Sequence, residues 1–117
     1  MKQSGQIVLV PFPFTDLFGA KLRPVLMLRK SSAQFDDWLV CMVSSQLWQV
    51  DGQIEEILLP SDADFAVTGL KVPSMLRLSR LAVLESSLLM GSLGEVSHER
   101  LQRIRQKLAV WIAEDGE

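Results

Sequence analysis

FTDLFGAKLRPVLMLRK, residues 14–30, runs from a polar turn into an apolar strand and sets an arginine and a proline at the junction. Asp16 and Gly19 are its turn formers, one able to bond its own backbone and the other unhindered by a Cβ. PVLMLR, residues 24–29, follows as a strand, and Pro24 is tolerated because it takes the first position. Arg23 is then a permanently charged fork of donors at the edge of a run, VLML, that packs in a core. Either it marks where the strand leaves solvent, or something anionic meets it.

Outward from this stretch the chain reads as strands. QIVLVPF at 6–12 is β-rich and stops at PFP. WLVCMVS at 38–44 is nearly continuously apolar, as a central strand is, and IEEILLP at 54–60 is a fourth strand with mixed faces. SDADFAVTGLKVPS, residues 61–74, carries short-helix signals and a turn at Gly69. SMLRLSRLAVL at 74–84 alternates apolar and polar residues, a strand bent near Arg80. LLMGSLG, residues 88–94, is read as a last short strand.

The tail differs in kind. Ser97 can cap a helix, Glu99 suits its first turn, and Leu101, Ile104, Leu108, Trp111 and Ile112 recur at helical spacing. Arg100, Gln102, Arg103 and Gln106 fall on the opposite, solvent side. The expectation is one domain over 1–117, mainly β with helices (α+β): five or six strands closed by one C-terminal amphipathic helix.

Composition narrows the function. The chain has 117 residues, 48% of them hydrophobic, and a mean hydropathy of +0.20. No apolar run is long enough to span a bilayer, and the prolines of IVLVPFPF do not suit a signal peptide, so a cytoplasmic protein is expected. The apolar surplus calls for an interface, hence a homodimer or a partner. A net charge of −2 argues against a broad, non-specific nucleic-acid binder while leaving room for a local basic site. Cys41 is the only cysteine, set in an apolar strand, and His98 the only histidine, so a zinc site or a Cys–His pair is not expected. No phosphate-cradling glycine loop occurs, and no cofactor or metal is required.

GQIVLVPFPFTD, KLRPVLML, CMVSSQ and VPSMLRLSRLAVLE, with the helix after them, resemble the MazF/PemK family, toxins of type II toxin–antitoxin pairs. The resemblance runs from Gly5 to about Ile112. It implies a small SH3-like β-barrel of the CcdB and MazF kind with appended helices, assembled as a homodimer. It also implies metal-independent, sequence-specific cleavage of single-stranded RNA, leaving a 2′,3′-cyclic phosphate and a 5′-hydroxyl. The expected partner is a cognate antitoxin whose disordered tail covers the RNA groove.

Carried over residue by residue, the resemblance places Arg23 and Ser44 in the active site. Internal RNA cleavage needs a proton taken from the 2′-hydroxyl, one given to the leaving 5′-oxygen, and stabilisation of charge on the phosphorane. Arg23 suits the last task, since a guanidinium offers paired donors to phosphate oxygens. With a pKa above about 12, it is assigned proton transfer only by the resemblance. Lys21, Phe18, Asp16, Ser45, Gln46 and Arg80 are the expected RNA contacts, Phe18 by stacking from the loop tip. Phe14 and Trp38 are assigned to the core, and Trp48 to RNA or a partner.

Structural alternatives stand beside each assignment: a strand-edge charge for Arg23, a strand-end cap for Ser44, solvent-facing alternate positions for Arg77 and Arg80. The sequence also departs from the family pattern. The first loop lacks a glutamate, Ala82 stands where an arginine is frequent, and Ser44 replaces the commoner threonine. The competing functions are a non-catalytic, CcdB-like inhibitor of DNA gyrase and a catalytically lapsed binding module. The acidic ending of VWIAEDGE favours the nuclease over the gyrase inhibitor.

Overall fold

Val25, Leu26, Met27 and Leu28 are all buried, although successive side chains of a strand point to opposite faces. The sheet around them is therefore covered on both sides. The computed structural model describes residues 2–12, 21–47 and 54–114. Its elements in chain order are β1 (Gln6–Phe12), β2 (Lys21–Lys30), β3 (Asp37–Ser44), β4 (Glu55–Leu58), α1 (Phe65–Thr68), β5 (Ser74–Glu85), a 3-10 turn (Ser86–Leu88), β6 (Gly91–Glu95) and α2 (His98–Ala113). The strands form one antiparallel sheet in the order β4-β5-β3-β2-β1-β6, so the architecture is mainly β with helices, as expected.

Alternation sorts the core into two layers. Ile7, Leu26, Leu28, Cys41, Val43, Leu76 and Leu78 face α2, which lays Leu101, Ile104 and Leu108 on them. Burial there pushes the Cys41 thiol up to about 12, as befits an inert packing residue. Val8, Val10, Val25, Met27, Trp38, Val40 and Leu84 form the other layer, closed by Leu89.

Irregularities curl the sheet into a half-barrel. Between β3 and β5 the register passes from Cys41–Leu81 to Met42–Arg77, which leaves Leu78, Ser79 and Arg80 outside that ladder. This is the bend expected near Arg80. A second break, at Met27/Arg29 of β2, presents the Leu28 carbonyl to Arg105 of α2, which donates to it from Nε (3.1 Å) and Nη2 (2.7 Å). At the edges, α1 follows β4 and packs on β6. Gly69 (φ 76°) ends α1, and a Cβ on Gly69 would strike the Leu93 carbonyl, as one on Gly94 would strike Val67.

Four expectations are corrected. β2 begins at Lys21 rather than Pro24, because Lys21, Leu22 and Arg23 pair with Phe12, Pro11 and Val10. Pro24 thus lies inside the strand, where its missing N–H is harmless because the β2–β3 ladder extends only from Val25 to Lys30. The last strand is Gly91–Glu95, since Leu88 ends a turn closed by Leu89 N–H on the Ser86 carbonyl (3.0 Å). Trp111 and Ile112 are exposed, the final turn of α2 extending past the apolar layer that the helix covers.

The fourth correction is Arg100, which is buried rather than solvent-facing. It lies four residues before Ile104 and so belongs to the inward stripe. Its Nε and Nη2 donate to Asp64 (2.9 and 3.1 Å) and its Nη1 to Glu56 (3.1 Å). Arg103 also donates to Glu56, Lys107 reaches it at 2.9 Å, and Asp62 lies 3.3 Å from Arg100. Ser97 caps α2 as expected, its Oγ accepting the Arg100 N–H at 3.1 Å.

Candidate functional site

Strand register decides which side chains meet. Val10 pairs with Arg23, Val25 with Met42, Met42 with Arg77, and Ser44 with Met75. Directly paired residues, and residues two apart on one strand, share a face. Arg23, Ser44 and Arg77 therefore stand on the face that carries Val8, Val25 and Val40. Where that core layer runs out, a groove of about 550 Å³ opens, which Val43, Leu70 and Leu81 of the α2-side layer also reach. Arg23, Ser44, Ser45, Gln46, Arg77 and Arg80 line it, with Phe12, Leu70, Val72 and Leu81 among its apolar walls.

Local structure accounts for each polar member. Arg23 lies on β2 beyond the end of the β3 ladder, past the proline. Ser44 is the last residue of β3, and its Oγ accepts the Gln46 N–H at 3.0 Å. The strand-end cap is thus present, and it is compatible with a role in the site. The bond uses one lone pair of a hydroxyl that has two, and its hydrogen can still be donated to a ligand. Arg80 is exposed in the β5 bulge and reaches the groove from its rim. Among the described lining residues there is no carboxylate and no imidazole, so the groove is cationic although the chain carries −2. Such a groove can hold an anion, donate to it from guanidinium and hydroxyl groups, and seat an apolar or aromatic body on its walls.

Of the site residues expected from the sequence, Arg23, Ser44, Ser45, Gln46 and Arg80 line this groove together. Lys21 shares their face, opposite Phe12, and is exposed, but it is not part of the groove lining. Asp16, Phe18, Phe14 and Trp48 lie outside the described residues. Trp38 is core. Arg77 and Phe12 are among the lining residues that the sequence does not predict as site residues. Arg77 reads in the sequence as a solvent-facing alternate position, and Phe12, 43% exposed, as the end of a strand. Counting two residues back from the buried Val25, and across to its partners, finds both faces of the groove, but the count needs the register, which a single sequence lacks.

The family model described as PemK-like, MazF-like toxin of type II toxin-antitoxin system matches residues 3–112. Among solved structures, the fold is similar to that of an endoribonuclease in complex with its cognate antitoxin from a mycobacterial species (15% identity, TM-score 0.70, 100% of both chains covered). It is similar as well to Mycobacterium tuberculosis toxin MazF-mt6 (18% identity, TM-score 0.67, 94% of this chain and 98% of that one). MazF from Deinococcus radiodurans aligns at 20% identity and a TM-score of 0.67, covering 97% of each chain. At these identities the likeness is one of fold. No curated protein sequence matches the chain.

Proposed function

The chain belongs to the PemK-like, MazF-like toxins of type II toxin–antitoxin systems, and from that premise we propose that it is an endoribonuclease cleaving single-stranded RNA in the Arg23–Ser44 groove. The observation that carries this reading is the convergence of Arg23, Ser44, Gln46 and Arg80 on one concave, cationic surface. Polyanion binding needs such a surface, and phosphoryl chemistry needs donors aimed at the developing charge.

In the proposed reaction the ribose 2′-oxygen attacks the adjacent phosphorus and the bond to the 5′-oxygen breaks. The 2′-hydroxyl loses a proton and the 5′-oxygen gains one, so the products are a 2′,3′-cyclic phosphate and a 5′-hydroxyl. Arg23 stabilises the charge on the phosphorane oxygens through paired N–H donors. Ser44, held by the Gln46 N–H, donates its hydroxyl hydrogen to the same phosphate. Gln46 and Ser45 face the bases, and Phe12 offers a stacking face that suits unpaired RNA. The guanidinium groups supply the positive charge, so the reaction is proposed to be independent of metal. A cognate antitoxin that lies in the groove would hold the toxin silent, and the exposed Val110 and Ile112 suit a homodimer contact. The chain is proposed to act in the cytoplasm.

The test is incubation of the protein with mixed-sequence single-stranded RNA in EDTA, beside Arg23→Ala. Cyclic-phosphate ends from the wild type, reduced at least about 100-fold in the variant, are expected. Equal cleavage by both proteins would return Arg23 to a strand-edge charge. Cleavage by neither would redirect the function to the exposed end of α2, where an inhibitor of the CcdB kind acts.

A further inference from the structure

We infer that Arg77 is a second phosphate-binding residue of the groove, one that holds a phosphate flanking the scissile bond. The inference rests on the RNA reading above and assigns a role to a residue on which that reading does not depend. Val25, Met42, Arg77 and Glu55 form one row across β2, β3, β5 and β4, each paired with the next, so all four project from the same face. Arg77 is the last residue of β5 paired with β3 before the bulge at Leu78, Ser79 and Arg80. Past it the strand departs from β3, and the half-buried Arg77 side chain forms part of the groove wall.

Across the β4 ladder Arg77 faces Glu55. A guanidinium has five N–H donors, more than one partner uses, so a groove-wall arginine that already has a partner can also donate to a phosphate. Arg77 is half-buried in the groove wall, whereas Arg80 is exposed at its rim.

Its place assigns the phosphate. Arg23 and Ser44 mark the outer end of the groove, on β2 and β3. Arg77 is two strands from β2, about 10 Å at ordinary strand spacing, and in the inner row with Val25 and Met42 rather than beside Arg23. A strand of RNA lying across the sheet therefore meets Arg23 at one phosphate and Arg77 at another. Removal of Arg77 weakens binding of substrate and transition state alike, so the loss falls on KM, whereas loss of Arg23 falls on kcat.

The experiment uses fluorescein-labelled, 2′-O-methylated single-stranded RNA, which binds but has no free 2′-hydroxyl to attack. Anisotropy titrations from 50 to 300 mM KCl give log K against log salt for wild type, Arg77→Ala, Arg77→Lys and Arg29→Ala, the last a cation at the other end of β2. One lost phosphate contact lowers the magnitude of the slope by about 0.7 and weakens binding about tenfold. That is expected of Arg77→Ala; Arg77→Lys keeps the slope and Arg29→Ala matches wild type. On cleavable RNA, Arg77→Ala raises KM several times more than it lowers kcat.

Wild-type binding with a slope unchanged in Arg77→Ala overturns the inference and leaves the nuclease reading intact. A loss in kcat with KM unchanged overturns it as well, by placing Arg77 at the scissile phosphate. Wild type that binds no RNA removes the nuclease reading and this inference with it. If Arg77→Ala has no cooperative melt, Arg77→Gln is judged by the same slope.

Discussion

Glu55 and Glu56 are neighbours on β4, and alternation sends one to each side of the sheet. Glu56 is buried under α2 and receives Arg100, Arg103 and Lys107, while Asp64 takes the other edge of Arg100. Among the described residues, no buried side-chain nitrogen or oxygen is left without a partner. Glu55 faces Arg77 at the wall of a groove that also presents Arg23 and Arg80, and that no carboxylate lines among the described residues. The two regions use arginine for opposite ends. Buried ions must be matched or folding bears their desolvation, so the helix side is closed. A concave surface with charge of one sign in excess keeps its electrostatic energy for a ligand of the other sign.

The largest expected effect tests the closed side. Arg100→Ala leaves Glu56 and Asp64 buried without their shared cation and destabilises the protein by about 3–5 kcal/mol, lowering Tm on the order of 10–20 °C in a thermal melt. Arg23→Ala is the counterpart. Its stability stays within about 0.5 kcal/mol of wild type while cleavage falls by about 100-fold or more. A melt for Arg23→Ala as depressed as that for Arg100→Ala would show that both arginines are structural and would break the comparison.

Acid sharpens it next. Burial opposes ionisation of Asp64, but hydrogen bonds from Arg100 and from the Ser97 N–H (3.0 Å) outweigh it and hold its pKa down to about 2. Glu56 is lowered in the same way: burial is overcome by Arg103 and Lys107. A carboxylate ionised more readily in the fold than in the unfolded chain, where Asp titrates near 3.9, stabilises the fold above that pH. For Asp64 about 2 kcal/mol is present above pH 4 and lost as pH falls towards 2. Urea midpoints measured between pH 6 and pH 2 are expected to fall over this window in wild type and to vary less in Asp64→Asn. A variant profile as steep as the wild type's would assign the acid sensitivity to other groups.

How far each region was legible in the sequence follows from the kind of signal it carries. Arg23 stands out by local chemistry, a fixed charge and a proline at the entrance of an apolar strand, whereas Ser44 and Gln46 stand out only through the resemblance of the strand end that carries them to the MazF/PemK family. The β5 bend was legible because polar residues break the alternation at Ser79 and Arg80. The sequence alone places Arg100 in solvent, because a charge at helical spacing reads so unless its partners are known, and those partners, Asp64 and Glu56, lie 36 and 44 residues away. Arg77 reads as solvent-facing for a related reason. Alternation gives the face on which a residue stands, but whether that face is open or folded into a groove depends on pairing across β2, β3 and β5.

The smallest effect separates two serines that make the same local bond. Ser97 Oγ accepts the Arg100 N–H at 3.1 Å and Ser44 Oγ accepts the Gln46 N–H at 3.0 Å. Ser97 caps a helix of 16 residues whose first turn carries Arg100, so Ser97→Ala lowers stability by about 1 kcal/mol and leaves cleavage at the wild-type rate. Ser44 ends a strand in a turn whose next two residues are exposed, so Ser44→Ala lowers stability by less than about 0.5 kcal/mol. It also removes the donor proposed for the phosphate, so kcat is expected to fall about tenfold, the value of one hydrogen bond to a charged group. Parallel melts and single-turnover cleavage of both variants check this. If Ser44→Ala behaves as Ser97→Ala does, losing stability and no rate, the bond to Gln46 is the whole role of the hydroxyl and Arg23 acts without it.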